Sequence, residues 1–317
     1  MKSVKEELSG LKELMKDVDG VLGSIQKLER DEKSKEDSTF NLIKKIENGS
    51  LSRDSIKELM KEKKSEVKEE DEATKELKQA IQGEEKEVQT FTDIVKKIRQ
   101  EEKQEDQEIQ QLEQEISQLK NQGATQELVM AILRLLMDAA QRAADEAQEE
   151  YGTTQEGTHI ADEEEKTAQE IQNLEKIEQE EEKEEKEIDK IARSSGNEQL
   201  EAFDQELHQH TERDEMMAVK EAKEETNLAQ KFESRVEALG EETEHTEEEV
   251  KELLDDAKEV ESIVKGSPVD SEEFEEKMSG VFDTLKNAGN TAEKAMDGIK
   301  ETAKEATDAA KQAKKAT

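Results

Sequence analysis

The side chains that could do chemistry in this chain are mostly carboxylates, with a few histidines among them. His208 and His210 form an HxH pair with Glu212 and Asp214 close by. These are residue types that ligate divalent metals. Their spacing works against that use. Two ligands converge from one helix face when they stand four residues apart, as in HExxH. Two residues apart, they point roughly 200° away from each other at about 3.6 residues per turn. The pair therefore reads as solvated surface. His159 and His245 stand alone. The acidic runs Asp162 to Glu165 and Glu180 to Glu182 could draw cations weakly. They lack the glycine-centred loop with alternating aspartates that cages calcium, and they read as solvated faces. No phosphate-cradling GxxxxGK, no GxGxxG after a strand and no GxSxG is present. The absence of cysteine removes thiolate chemistry and disulfides. Carboxylates are so frequent that a pair at any chosen spacing carries no information. The expectation is a non-enzymatic chain with no catalytic residue, no cofactor and no metal.

The stretch LVMAILRLLMDAAQRAA, from Leu128 to Ala144, has a different chemistry. It is apolar around most of a helical circumference, so it requires burial on several sides. Leu128, Val129, Ile132, Leu135 and Leu136 are the candidate surface for self-association or for docking a protein partner. The competing reading makes them the well-packed end of a bundle. The two readings are compatible.

At the C-terminal end stand two consecutive eleven-residue units, TAEKAMDGIKE at 291–301 and TAKEATDAAKQ at 302–312. This segment resembles the eleven-residue repeats of group-three late-embryogenesis-abundant proteins. The resemblance covers under a tenth of the chain. It implies a stress-protective or surface-active tail that gains helix on drying or at membranes, with weak membrane-surface contact through 291–317. Eleven residues in three turns place Ala292, Ala295, Ala303, Ala306 and Ala313 near one shallow face. The competing reading is a soluble terminal helix.

Helices must position all of these residues. From Ile56 to Leu119 a hydrophobic stripe recurs at alternating spacings of four and three: Ile56, Met60, Val67, Leu77, Ile81, Val88, Phe91, Val95, Ile98, Ile109, Leu112, Ile116, Leu119. A mean spacing of about 3.5 keeps one helix edge against a partner. Lys63, Glu70, Thr74, Glu84, Glu102 and Glu105 interrupt the stripe, weakening the seam and fixing its register. Helix-breaking clusters fall at Asn48-Gly49-Ser50, Asn121-Gln122-Gly123, Ser194-Ser195-Gly196-Asn197 and Gly266-Ser267-Pro268. They divide the chain into an N-terminal amphipathic helix at 1–47 and three nearly equal segments at 53–121, 125–193 and 198–265. Equal lengths with short turns near 121–125 and 194–197 predict antiparallel neighbours. A helix of about 70 residues would be roughly 105 Å long. YGTTQEGT at 151–158 predicts a kink or loop in the middle segment. A short helix at 270–286 is expected to end at NAGN (287–290), ahead of the Ala/Lys/Glu-rich tail at 291–317. The fold class is thus all-α, an elongated antiparallel coiled-coil bundle.

Composition agrees. Aromatics make up 2% of the chain, charged residues 42%, and there is one proline in 317 residues. A thin seam between helices suits these proportions better than a thick core. A net charge of −38 disfavours nucleic acid, which recruits clustered Lys and Arg. It also disfavours anionic membranes. No apolar run approaches the length of a membrane span, and the N-terminus lacks the apolar core of a secretory signal. The expectation is a cytoplasmic structural or scaffold protein acting as a spacer or oligomerisation module. The alternative is a surface-active, stress-protective protein. Analogy of shape with long coiled coils also admits a subunit of a chromosome-associated or cytoskeletal assembly.

Overall fold

The computed structural model describes residues 3–48, 52–267, 269 and 271–316. Five helices account for nearly all of them: α1 (Val4–Glu47), α2 (Arg53–Gln122), α3 (Gln126–Ser195), α4 (Glu198–Val264) and α5 (Glu272–Lys315). The described residues contain no strand, and the fold is all-α.

Local chemistry explains the helix ends. Ser3 and Glu6 form a reciprocal capping box at the start of α1, with Ser3 N–H donating to Glu6 Oε2 at 3.1 Å and Glu6 N–H to Ser3 Oγ at 3.3 Å. Thr125 caps α3, its Oγ1 accepting from Leu128 N–H at 3.3 Å. The Asn197 side chain accepts from Gln199 and Leu200 at the start of α4. Gly123, Gly196 and Gly266 have φ of 88°, 58° and 80°. That left-handed geometry ends a helix at little cost only for glycine. Gly49, Ser50 and Pro268 of the other predicted breakers lie outside the described residues.

At two sites where the sequence predicts an interruption, no loop forms. α3 is continuous through 151–158. The threonines there satisfy their hydroxyls within the helix: Thr153 donates to Glu149 O at 2.7 Å, Thr154 to Glu150 O at 2.9 Å and Thr158 to Thr154 O at 3.1 Å. The glycines there make room for neighbours. A Cβ at Gly157 would lie 3.1 Å from the Phe91 ring, and one at Gly152 would lie 3.5 Å from Leu8. α5 likewise runs through NAGN without a break and absorbs the tail. Thr291 donates to Asn287 O at 2.9 Å, Ala288 is buried, and a Cβ at Gly289 would lie 3.5 Å from Val250.

The chain divides into two compact units. The first combines the start of α1 up to Lys12 with Gln89–His159 and Phe232–Lys304. Its main core joins Ile109, Leu112, Ile116 and Leu119 of α2 to Val129, Ile132 and Leu136 of α3, Val250, Leu253 and Val260 of α4, and Phe274, Met278 and Leu285 of α5. The neighbours are antiparallel. Along α2 the contacts pass from Glu108 with Arg142 to Phe91 with Gly157, and along α4 from Val250 with Gly289 to Gly240 with Ile299.

The second unit combines Glu13–Val88, Ile160–Lys231 and the end of α5 from Glu305. It has two main apolar clusters. One is built on Val18, Leu22, Ile25, Leu77, Ile171 and Leu174. The other is built on Ile43, Ile56, Leu59, Ile188, Leu200 and Phe203. Here α1 runs antiparallel to α2, with Thr39 beside Glu66 and Val18 beside Gly83.

Candidate functional site

The Leu128–Leu136 face is occupied by the chain itself. Val129, Ile132 and Leu136 have no exposed surface and sit in the core of the first unit, while Leu128 and Leu135 are partly buried against the same cluster. Three of the five thus belong to the packed core of the chain itself, and Leu128 and Leu135 keep part of their surface. A helix apolar on several sides has found neighbours on several sides in α2, α4 and α5.

The histidine pair diverges. His208 is exposed, with Nδ1 2.7 Å from Glu185 and Nε2 3.4 Å from Glu212. His210 turns inward, with Nδ1 2.8 Å from Asp214 and Nε2 3.5 Å from Asp71. Burial pulls the His210 pKa down, but the Asp214 and Asp71 carboxylates outweigh it and hold the pKa above its ordinary value. Glu70, His210 and Asp214 bring ligand atoms within 4.8 Å of one another. Arg213 pairs with both Asp214 and Asp71, so this group already has cationic partners.

The interior carries polar layers that the helical stripes disclose only in part. In the second unit Lys63 is wholly buried, and its Nζ lies 3.1 Å from Glu66, 2.7 Å from Glu181 and 2.9 Å from Glu184. Thr39 completes the cage by donating to Glu66 at 2.9 Å. Burial alone would lower the Lys63 pKa, but the three carboxylates reverse that and raise it. The ammonium is thus held between α2 and α3. Deeper in this unit Glu84, Glu164 and Glu225 are fully buried. Thr167 donates to Glu84, and Glu225 shares a hydrogen bond with Glu84. Burial, reinforced by mutual repulsion, pushes the Glu164 and Glu225 pKa values well above the ordinary range. Glu164 and Glu225 are thereby held as neutral carboxyl groups, and Glu225 can donate its proton to Glu84.

The densest acidic cluster belongs to the first unit. α2 supplies Glu102 and Glu105, α3 supplies Glu146 and Glu150, and α4 supplies Glu249. Ligand oxygens of Glu102, Glu146 and Glu150 lie within 4.8 Å of one another, as do those of Glu105, Glu146 and Glu249. Glu146 belongs to both groups. Glu150 is fully buried and accepts from Thr246 at 2.7 Å. Burial, then the neighbouring carboxyls, drives Glu102 up to about 10 and Glu146 up to about 12. Burial carries Glu150 up to about 8 against the pull of its two threonine hydrogen bonds. Arginines occupy the rim: Arg142 pairs with Glu108, and Arg99 pairs with Glu242.

Sequence reasoning placed Glu102 and Glu105 in the seam but missed their partners. The available signal was the four-residue spacing of Glu146 and Glu150 on α3 combined with the antiparallel register. That register brings this turn of α3 opposite the two polar seam slots of α2.

No protein-family model matches the chain, and no curated protein matches it. Among solved structures, the chain is similar to a crystal structure of a de novo designed helical repeat protein. The identity is 18%, the match covers 93% of this chain and all of the other, and the TM-score is 0.16. It is also similar to a computationally designed self-assembling cyclic homooligomer at 15% identity, over 89% of this chain and 98% of the other, with a TM-score of 0.15. A third match, the DHF79 filament, has 18% identity over 83% of this chain and 98% of the other, with a TM-score of 0.17.

Proposed function

We propose that the chain is a non-enzymatic helical scaffold or spacer that works by holding protein partners, or further copies of itself, through its acidic outer faces. The observation that carries this reading is the disposition of its apolar side chains. Five long helices bury them against one another. Among the large apolar side chains of the described residues, Phe40, Met137 and Met216 stand exposed, at 41%, 43% and 68%. Such a surface suits polar, tunable contacts better than a permanent greasy interface. No described helix is long and apolar enough to cross a membrane.

The surface-active alternative requires the alanine face of the tail to be free. Ala292, Ala295, Ala306 and Ala313 are buried in the folded chain, which favours the scaffold. Circular dichroism in buffer and with anionic vesicles, paired with light scattering, separates the readings. The scaffold predicts a chain fully helical in buffer, with neither helix content nor hydrodynamic size changed by lipid. A large gain in helix on adding vesicles overturns it.

A further inference from the structure

We infer that the first unit contains a binding site for a hard divalent cation, centred on Glu146 and completed by Glu102, Glu105, Glu150 and Glu249. The oxygen positions fit such an ion. Bonds of about 2.1 to 2.4 Å to magnesium, manganese or calcium place ligand oxygens no more than about 4.2 to 4.8 Å apart. Both groups of three meet the wider limit. The donors are all carboxylate oxygens, the ligand type that suits magnesium, manganese and calcium.

Acidic residues alone would not make a site, because this chain is acidic everywhere. Glu146 supplies the second observation. It is only 7% exposed, and neither of its oxygens accepts a hydrogen bond from an N–H or a hydroxyl of the described residues. Its polar neighbours are other carboxyls, Glu105 among them. A carboxylate buried with no donor of its own is unfavourable unless a proton or a metal neutralises it. Membership in both oxygen groups also lets Glu146 serve either of two adjacent ion positions.

The surroundings match. A cleft of about 10 Å³ reaches the second group, walled on its polar side by Glu105, Arg142 and Glu249 and on its apolar side by Ile109, Ala143 and Leu253. That is room for about one water-sized ligand. Thr246 holds one oxygen of Glu150 at 2.7 Å, fixing a ligand from behind as outer-shell donors do at metal sites. The group of Glu70, His210 and Asp214 in the second unit is the control, because Arg213 pairs directly with Asp214 there. In the first unit Glu249 lies 3.4 Å from His245, while Glu146 has no such cationic partner among the described residues.

Manganese is the probe. Chelator-stripped protein is titrated with Mn²⁺ alone at neutral pH in about 0.5 M NaCl, which screens weak surface sites. Free Mn²⁺ is read by electron paramagnetic resonance and thermal unfolding by circular dichroism. The expected result is saturable uptake of one or two ions per chain with a rise in the unfolding temperature. Glu146→Gln should weaken uptake at least tenfold and abolish the thermal shift, and Asp214→Asn should leave both intact. Glu146→Gln preserves shape and removes a buried ionisable group, so its ion-free form should fold. Should it not, Glu102→Gln is the substitute, and the wild-type titration stands independently of either variant. Uptake that never saturates, that survives Glu146→Gln unchanged, or that is lost in Asp214→Asn overturns the site.

Discussion

Single residues in this chain are constrained less by what they are than by what stands opposite them. Gly298 and Gly20 both lie inside helices. A Cβ at Gly298 would fall 2.7 Å from Thr154 Cγ2, whereas one at Gly20 would meet nothing within 4 Å. Thr154 cannot swing away freely, because its hydroxyl is tied to Glu150 O. Gly298→Ala should therefore destabilise by about 1–2 kcal/mol despite its better helix propensity. Gly20→Ala should stabilise by about 0.5–1 kcal/mol. Urea midpoints of the two variants check this, and shifts of the same sign would contradict the close approach of α5 to α3. Residue identity alone supports half of this reading. Gly123, Gly196 and Gly266 do take left-handed turns, but Gly152, Gly157 and Gly289 sit in unbroken helix. A sequence shows a small residue without showing whether it serves bending or proximity. The neighbour that decides comes from a distant helix.

At the level of elements, hydrophobic periodicity was a good guide to helix type and a poorer guide to helix faces. The α2 stripe of four-and-three spacing is buried at Ile56, Leu77, Val88, Phe91 and Ile98, but Leu59, Ala73 and Ile94 beside it are also buried, while Met60 and Val67 are only partly so. The extra row exists because α2 packs against more than one neighbour, which a two-row seam does not describe. The same cause explains why the Leu128–Leu136 face turned inward. Ile132→Ala is accordingly expected to cost about 2–5 kcal/mol of folding stability, as cavity-forming substitutions do. Chemical denaturation combined with light scattering tests the point. A variant of unchanged stability that altered only the state of assembly would restore the outward-facing reading.

Across the whole molecule the dominant quantity is charge, and its consequence runs opposite to ordinary acid denaturation. Glu32 and Glu150 are carried up to about 8, Glu102 and Glu163 up to about 10, and Glu146 up to about 12, in each case chiefly by burial. Below the unfolded value near 4.5, folded and unfolded chains both hold these protons. Above it the unfolded chain releases them first and the folded chain retains them, so the stability they confer declines as pH rises and is gone above each folded pKa. With a chelator present, the unfolding temperature should be higher at about pH 5 than at about pH 8.5. An increase across that interval would mean that these carboxyls are ionised in the fold. This property was barely legible beforehand. A net charge of −38 announces repulsion, but it does not say which acids leave the solvent. Glu84, Glu102 and Glu105 stood out only as polar slots in a greasy row. Glu164 and Glu225 looked no different from dozens of surface glutamates.

The neutral carboxyls of Glu164 and Glu225 make the folded chain a store of hydrogen ions. Each time the second unit opens near neutral pH, that store empties into the surrounding water, and closing draws it back. The hydrogen ion therefore enters the folding equilibrium as a reactant, and pH acts on it alongside temperature and denaturant.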